Sequence, residues 1–197
     1  MTSAKPSAPL LSSAQVDRAA GVLLGLACGD ALGAGYEFQP ARIHGETVDM
    51  VGGGGFGWAP GEWTDDTSMA VAIAETSSTG VDLRSSAALD AITVRFVNWA
   101  KDAPDVGIQT GAVLRSIAGD PTSDTAAASA REHFARTGRS GNGSLMRTAP
   151  VALAYLHDPD ARGQAARAIS RLTHGDDEAG EACAMWCDAI AHAVLHG

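Results

Sequence analysis

A chain of 197 residues with 45% hydrophobic and 19% charged residues is long enough for one domain with its own core, and its composition excludes a largely disordered chain. A formal net charge of −9 with no basic cluster to offset it argues against nonspecific nucleic-acid binding. It leaves room for an anionic small molecule where a bound cation reverses the local sign.

In chain order, the opening MTSAKPSAPLLSS has neither the apolar core of a signal peptide nor the basic character of a transit peptide. It reads as a flexible tail over residues 1–12, ahead of a single domain over 13–197. Ser12 or Ser13 can cap a helix over residues 15–31. Its apolar run is broken by Asp17, Arg18 and Asp30, so a buried soluble helix is expected rather than a membrane span. Gly21, Gly25, Gly29 and Gly33 recur every fourth residue and fall on one stripe, which suggests a close approach by another backbone or a ligand. Residues 34–63 lack periodicity and include the glycine-rich VGGGGFGWAPGEW, the composition of a loop and of a closing lid over a site.

Helical periodicity then dominates. The segment 66–77 is apolar at Met69, Ala70, Ile73 and Ala74, and 83–100 is apolar at Ala88, Ala91, Ile92, Phe96 and Trp99. Further helices are expected over 107–118, 124–136, 145–155, 160–172 and 176–195. Alternating runs of β-branched residues are scarce, so the expected fold is all-α with short Gly, Pro and Asp turns. Cys28, Cys183 and Cys187 form no CxxC pair and read as small buried apolar residues in a reducing, cytoplasmic setting.

The chemistry concentrates in a few blocks. In GEWTDDTSM two adjacent aspartates, Asp65 and Asp66, stand between Thr64 and Thr67 at the start of an apolar helix. Thr64 or Asp65 can cap that helix, and acids in the first turn suit its dipole. The competing reading is a hard-cation site built from carboxylate and hydroxyl oxygens, which would also relieve the repulsion between the two aspartates. Around it lie GLACGDALG (25–33) with Glu37 just beyond, PDVGIQT (104–110) with Asp105, GNGSLMR (141–147) and THGDD (173–177). Gly141, Asn142, Gly143 and Ser144 lead toward a helix, where backbone N–H groups can cradle a phosphate. His174 just before a helix start is a packing or capping residue or a ligand contact.

These blocks, in this order, resemble the ADP-ribosylglycohydrolase family, and the resemblance runs from about Val16 to Gly197. It implies an all-α orthogonal helix bundle with two Mg²⁺ ions, or Mn²⁺, in a cleft. It implies metal ligation by Thr64, Asp65 and Asp66, and proton transfer by Glu37 or Asp105. It places Gly141, Asn142, Gly143, Ser144 and His174 against ADP-ribose. The implied activity is Mg-dependent hydrolysis of the glycosidic bond joining ADP-ribose to a protein side chain or other acceptor. The implied partners are an ADP-ribosylated protein or an ADP-ribose-containing small molecule; the sequence holds no direct sign of nucleic-acid binding, and no membrane partner is expected. The aromatic residues Tyr36, Phe38, Phe56, Trp58 and Trp63 are candidates for stacking on adenine, or for packing in the core or lid.

One departure stands out. The family's second, C-terminal metal-binding block of G-D-T-D-T type has no counterpart, so the chain reads as C-terminally truncated with part of the metal set missing. Two other readings follow: a family-like scaffold that binds without turnover, and an HD-type metal phosphohydrolase built on His157-Asp158. Pro159-Asp160 directly after that dipeptide puts it at a turn and weakens the latter.

Overall fold

The structure, a computed structural model, describes residues 10–40, 45 and 47–197; most of the expected N-terminal tail lies outside the described residues. Eight α-helices make up the fold among the described residues: α1 (Ser13–Gly33), α2 (Asp65–Ser78), α3 (Ser86–Trp99), α4 (Ile108–Ser116), α5 (Ser123–Thr137), α6 (Ala149–Ala154), α7 (Pro159–Ser170) and α8 (Asp177–His196). A single 3-10 turn, Ala34–Tyr36, follows α1, and the one pairing of extended backbone among the described residues is an isolated bridge between Gly53 and Trp58. The all-α expectation holds.

Local chemistry sets most boundaries. Ser12 accepts from the Gln15 amide while the Gln15 side chain accepts from the Ser12 amide, a reciprocal capping box that starts α1. Thr122 and Thr125 do the same for α5, which ends on Gly138 at φ 61°. Asp158 caps α7 ahead of Pro159, and Asp176 caps α8 through a 2.6 Å bond from the Ala179 amide. The helix expected over 145–155 is shorter. Pro150 sits in its first turn, and residues 142–148 form successive tight turns instead, with Leu145 N donating to Asn142 O and Thr148 N to Leu145 O.

The core lies between α2, α3, α6, α7 and α8, with Met69, Ile73, Ile92, Phe96, Val151 and Ile169 fully enclosed. Cys183 and Cys187 belong to it as free thiols, whereas Cys28 is exposed, against expectation. The tightest helix pair is α7 with α8. There Arg162 meets Asp188 at 2.6 Å and Arg167 holds Glu181 at 2.7 Å.

Helix α1 departs from the expectation of burial. It is fixed on one side by Gln15 Nε2 donating to Leu195 O (3.1 Å) and Arg18 Nε to Val194 O (2.8 Å), and by Asp30 at the start of α2. Ala31 is its one buried residue, while Val16, Leu23 and Leu24 are exposed. The glycine stripe meets nothing: among the described residues no atom lies within 4 Å of where a Cβ would stand at Gly21, Gly25, Gly29 or Gly33. Together with the turn that follows, α1 is long and apolar enough to cross a membrane by length and composition, and little of its apolar stretch is buried. The polar groups Gln15, Arg18 and Asp30 are all spent on neighbouring helices.

The glycine-rich segment folds back over the end of α1. A side chain at Gly35 would fall on the carbonyl of Gly52, and Gly52 itself has φ 65° with the Trp58 carbonyl against its α-carbon, so both positions exclude a Cβ. Gly53 and Trp58 exchange N–H···O bonds of 2.7 and 2.9 Å, and Tyr36 Oη bridges Asp49. Phe56 meets Phe38 edge to face and Trp58 at a tilt, with centroid separations of 6.4 and 5.8 Å. Three of the aromatic residues considered for adenine stacking therefore pack first on each other.

Candidate active site

The start of α2 is built by a residue from another helix. Thr64 occupies the N-cap position without a capping bond of its own. Asp30, near the end of α1, takes over that work. Its Oδ2 accepts from the amides of Thr64 (2.9 Å) and Thr67 (3.1 Å) and from the Thr67 hydroxyl (2.6 Å), and its Oδ1 accepts from the Thr64 hydroxyl (2.6 Å). The expectation that Thr64 or Asp65 caps the helix is thus corrected. An ionised carboxylate from α1 satisfies the otherwise unpaired first-turn donors more strongly than a local hydroxyl does. Asp105 completes the arrangement by accepting from the Asp65 amide at 2.8 Å.

With Asp30 and Asp105 holding the backbone, the side chains of Asp65 and Asp66 are left half-buried beside each other, facing Asp105 and Glu37. Burial pushes the Asp65 carboxyl up to about 7, helped by the charges of Asp66, Asp105, Glu37 and Asp30. Burial and then Asp30 raise Asp66 to about 6, against a lowering hydrogen bond from Asp65. Glu37, exposed just beyond the 3-10 turn, is raised by partial burial and then by Asp105 and Asp30. Asp105 is also raised by burial, partly offset by the backbone N–H groups it accepts from. Five carboxylates from four segments converge with no ion-paired cation among the described residues.

The donor chemistry, carboxylates with the Thr64 hydroxyl, fits a hard divalent ion. Thr64, Asp65 and Asp66 would hold it. They form a partial sphere: among the described residues no three His, Cys, Asp or Glu groups close on one point. Both Asp30 oxygens are already taken by hydrogen bonds.

The Gly141–Asn142–Gly143 turn precedes α6 by several residues and is not its first turn, so it presents no helix N-terminus. Gly141 N donates to Gln109 Oε1 (3.3 Å), and Gln109 Nε2 donates to Thr173 O (3.1 Å), tying the turn to the α7–α8 connection. A Cβ on Gly143 would stand 3.3 Å from His174 Cε1 and 3.4 Å from Thr110 Oγ1, so the turn rests on the imidazole edge. Ser144 turns inward: its hydroxyl accepts from Ser170 Oγ (3.0 Å) and Cys183 Sγ (3.4 Å), and its carbonyl accepts from the Thr148 hydroxyl (2.5 Å). His174 is buried, and burial followed by the charge of Arg147 lowers it to about 3.

Two cavities flank the start of α2. One of about 630 Å³ is lined by Trp58, Trp63, Thr64, Trp99 and Asp105. The other, of about 490 Å³, is lined by Gly25, Gly29, Asp66, Asn142, Leu145 and Trp186. Asp66 and Asn142, distant in sequence, thus share a cavity wall, whereas His174 lies behind the turn. Two residues stand out that sequence reasoning passed over. Asp30 sat in plain view in GDALG, and the signal was a helix-interior aspartate with no nearby cation. Arg147, at the end of GNGSLMR, is fully buried without a carboxylate partner among the described residues.

The family model of the ADP-ribosylglycohydrolases matches residues 11–197. The chain is 36% identical over 192 residues to "ADP-ribosylarginine hydrolase Tri1" of Pseudomonas putida (strain GB-1), covering 92% of this chain and 48% of that protein. It is 35% identical over 185 residues to "ADP-ribosyl-[dinitrogen reductase] glycohydrolase" of Rhodospirillum rubrum, covering 90% of this chain and 58% of that one. A solved structure titled "ADP-ribosylglycohydrolase-related protein complex" superposes with a TM-score of 0.72 at 37% identity, over 93% of this chain and 58% of its own. The chain spans about half the length of the curated relatives it matches.

Proposed function

Because the chain belongs to the ADP-ribosylglycohydrolase family, we propose that its acidic cluster and glycine turn serve the hydrolysis of an ADP-ribosyl bond to a protein side chain. The observation that carries this reading is the convergence of Asp65, Asp66, Asp105 and Glu37 around an Asp30-capped helix start, with Asp66 on the wall of a cavity that Asn142 also lines. The name of the Pseudomonas putida relative makes ADP-ribosylarginine the first substrate to offer.

Hydrolysis adds water across the C–N bond at the anomeric carbon: oxygen bonds to carbon, and the departing guanidine keeps the nitrogen and takes a proton. Positive charge builds on the sugar ring as the bond breaks, and a ring of carboxylates favours it. Glu37 and Asp105, both raised above ordinary carboxylates, are suited to take a proton from the attacking water or deliver one to the leaving nitrogen. A Mg²⁺ or Mn²⁺ ion held by Thr64, Asp65 and Asp66 would supply charge neutralisation and polarisation of an oxygen ligand. The Gly141–Asn142–Gly143 turn would hold the diphosphate.

Calorimetric titration with Mg²⁺ and with ADP-ribose, beside release of ADP-ribose from an ADP-ribosylarginine peptide, tests the reading. The expected result is binding of both and turnover by the wild type, with Mg²⁺ binding and turnover lost in Asp65→Asn plus Asp66→Asn. Undiminished Mg²⁺ binding in that variant would refute the metal assignment. The partial ligand sphere favours a second reading, binding of ADP-ribose without turnover, which ADP-ribose binding by an inactive wild type would support.

A further inference from the structure

We propose that Arg147 is a positioning residue: acting through the Thr173 hydroxyl, it fixes the His174 imidazole as its Nε2–H tautomer and sets that edge against the underside of the Gly141–Asn142–Gly143 turn, the turn that the proposed function gives to the ADP-ribose diphosphate. The ligand half of this inference rests on the ADP-ribose reading above; the tautomer half stands without it.

The polarity of the chain of bonds follows from which groups can donate. A guanidinium has only donors. Arg147 Nη2 lies 2.8 Å from Thr173 Oγ1 and 3.1 Å from Ile169 O, so the Thr173 oxygen must accept there. Its own proton then has one remaining partner, His174 Nδ1 at 2.8 Å. Were Nδ1 to carry a proton instead, the fully buried Thr173 hydroxyl would be left with a proton and no acceptor, a cost of roughly 1–3 kcal/mol. Nδ1 therefore accepts and Nε2 holds the hydrogen. Gly143 lies over that edge, with His174 Nε2 at 3.5 Å and Thr110 Oγ1 at 3.4 Å from its Cβ position.

Arg147 is itself held rigidly. It is fully buried, its guanidinium carbon stands 4.6 Å from the Phe96 ring centroid, and Nη1 lies 3.7 Å from Met69 Sδ. A carboxylate would neutralise its charge; none pairs with it among the described residues, so that charge also discourages a second proton on His174. A protein gains little stability from burying an unpaired arginine in this way. The arrangement makes sense if its product is a histidine held neutral and singly oriented.

The test is two-bond ¹H–¹⁵N correlation of the imidazole nitrogens in the full chain, which reads the tautomer directly. The wild type should show His174 protonated at Nε2 alone, unchanged from pH 8 to pH 5, as expected of a group lowered to about 3. Thr173→Val, close to the same shape, should yield a mixture of tautomers, and Thr173→Ser should restore the single form. These substitutions spare Arg147, whose removal endangers folding. In parallel, Thr173→Val should weaken ADP-ribose binding roughly tenfold, about one hydrogen bond, with Thr173→Ser near the wild type. A proton on Nδ1 in the wild type, or one unchanged tautomer in Thr173→Val, would overturn the proposal. No ADP-ribose binding by a wild type whose His174 behaves as described would instead overturn the ligand reading alone.

Discussion

Asp30 accepts four hydrogen bonds from Thr64 and Thr67, and no other residue is so central to the shape of the acidic cluster. Replacing it by alanine leaves the amides of Thr64 and Thr67 and the Thr67 hydroxyl without this acceptor, and the Thr64 hydroxyl with only a 3.4 Å contact to Asp65 Oδ1. The expected loss is about 2 kcal/mol, with Asp30→Asn costing about half as much, read from urea unfolding midpoints at constant slope. The carboxylates that Asp30 supports make a second prediction. Asp65 and Asp66 have folded-state values of about 7 and about 6 against 3.8 for an ordinary aspartate. Between those limits the folded protein binds more protons than the unfolded chain, so this pair's contribution to stability rises as pH falls from about 7 to about 4. In metal-free buffer the stability of the wild type minus that of Asp65→Asn plus Asp66→Asn should therefore increase on acidification across that window, measured by urea unfolding at each pH. A flat difference would mean that neither burial nor the neighbouring charges raise the pair. The sequence told which residues are acidic and that they crowd a helix start. It did not tell that Asp30 would serve α2, because α1 and α2 are separated by the loop that folds over their junction. Ser144 was legible only as part of a motif, and its inward hydroxyl depends on Ser170 and Cys183, far along the chain.

At the scale of elements, caps and periodicity carried most of the reading. Five helices start on Ser12, Ser85, Thr122, Asp158 and Asp176, each accepting from a first-turn amide, and such signals are local. The miss at α6 was local too: Pro150 and the run of tight turns from Asn142 keep residues 145–148 out of the helix, although their apolar spacing continues it. Junctions between elements were not legible. Gly175 sits against α5, where a methyl group would fall on the backbone of Ala130 and Arg131. Gly175→Ala should cost about 3 kcal/mol or prevent folding, because backbone on both sides must separate. Gly138→Ala, at a left-handed helix end with nothing within 4 Å of the added methyl, should cost about 1 kcal/mol. Thermal unfolding of the two variants side by side tests whether crowding or backbone conformation dominates.

For the whole molecule, the all-α architecture was readable from spacing, but the open side of α1 was not. A run of apolar residues and regularly placed glycines reads as buried in any soluble context, and which neighbours cover it is a property of tertiary assembly. Here Val16, Leu23 and Leu24 face outward from a helix held along its other side. Leu24→Lys should leave unfolding free energy within about 0.5 kcal/mol of the wild type while reducing binding of a hydrophobic dye and self-association by light scattering. A large loss of stability would mean that Leu24 is covered in solution. The bond from α1 to α2 gives this helix a second significance. Most of α1 is anchored by few contacts, yet its last turn holds the amides of Thr64 and Thr67. Deuterium uptake at those two amides should therefore report the detachment of a helix to which neither belongs, and any partner that clamps α1 in place would slow their exchange from a distance.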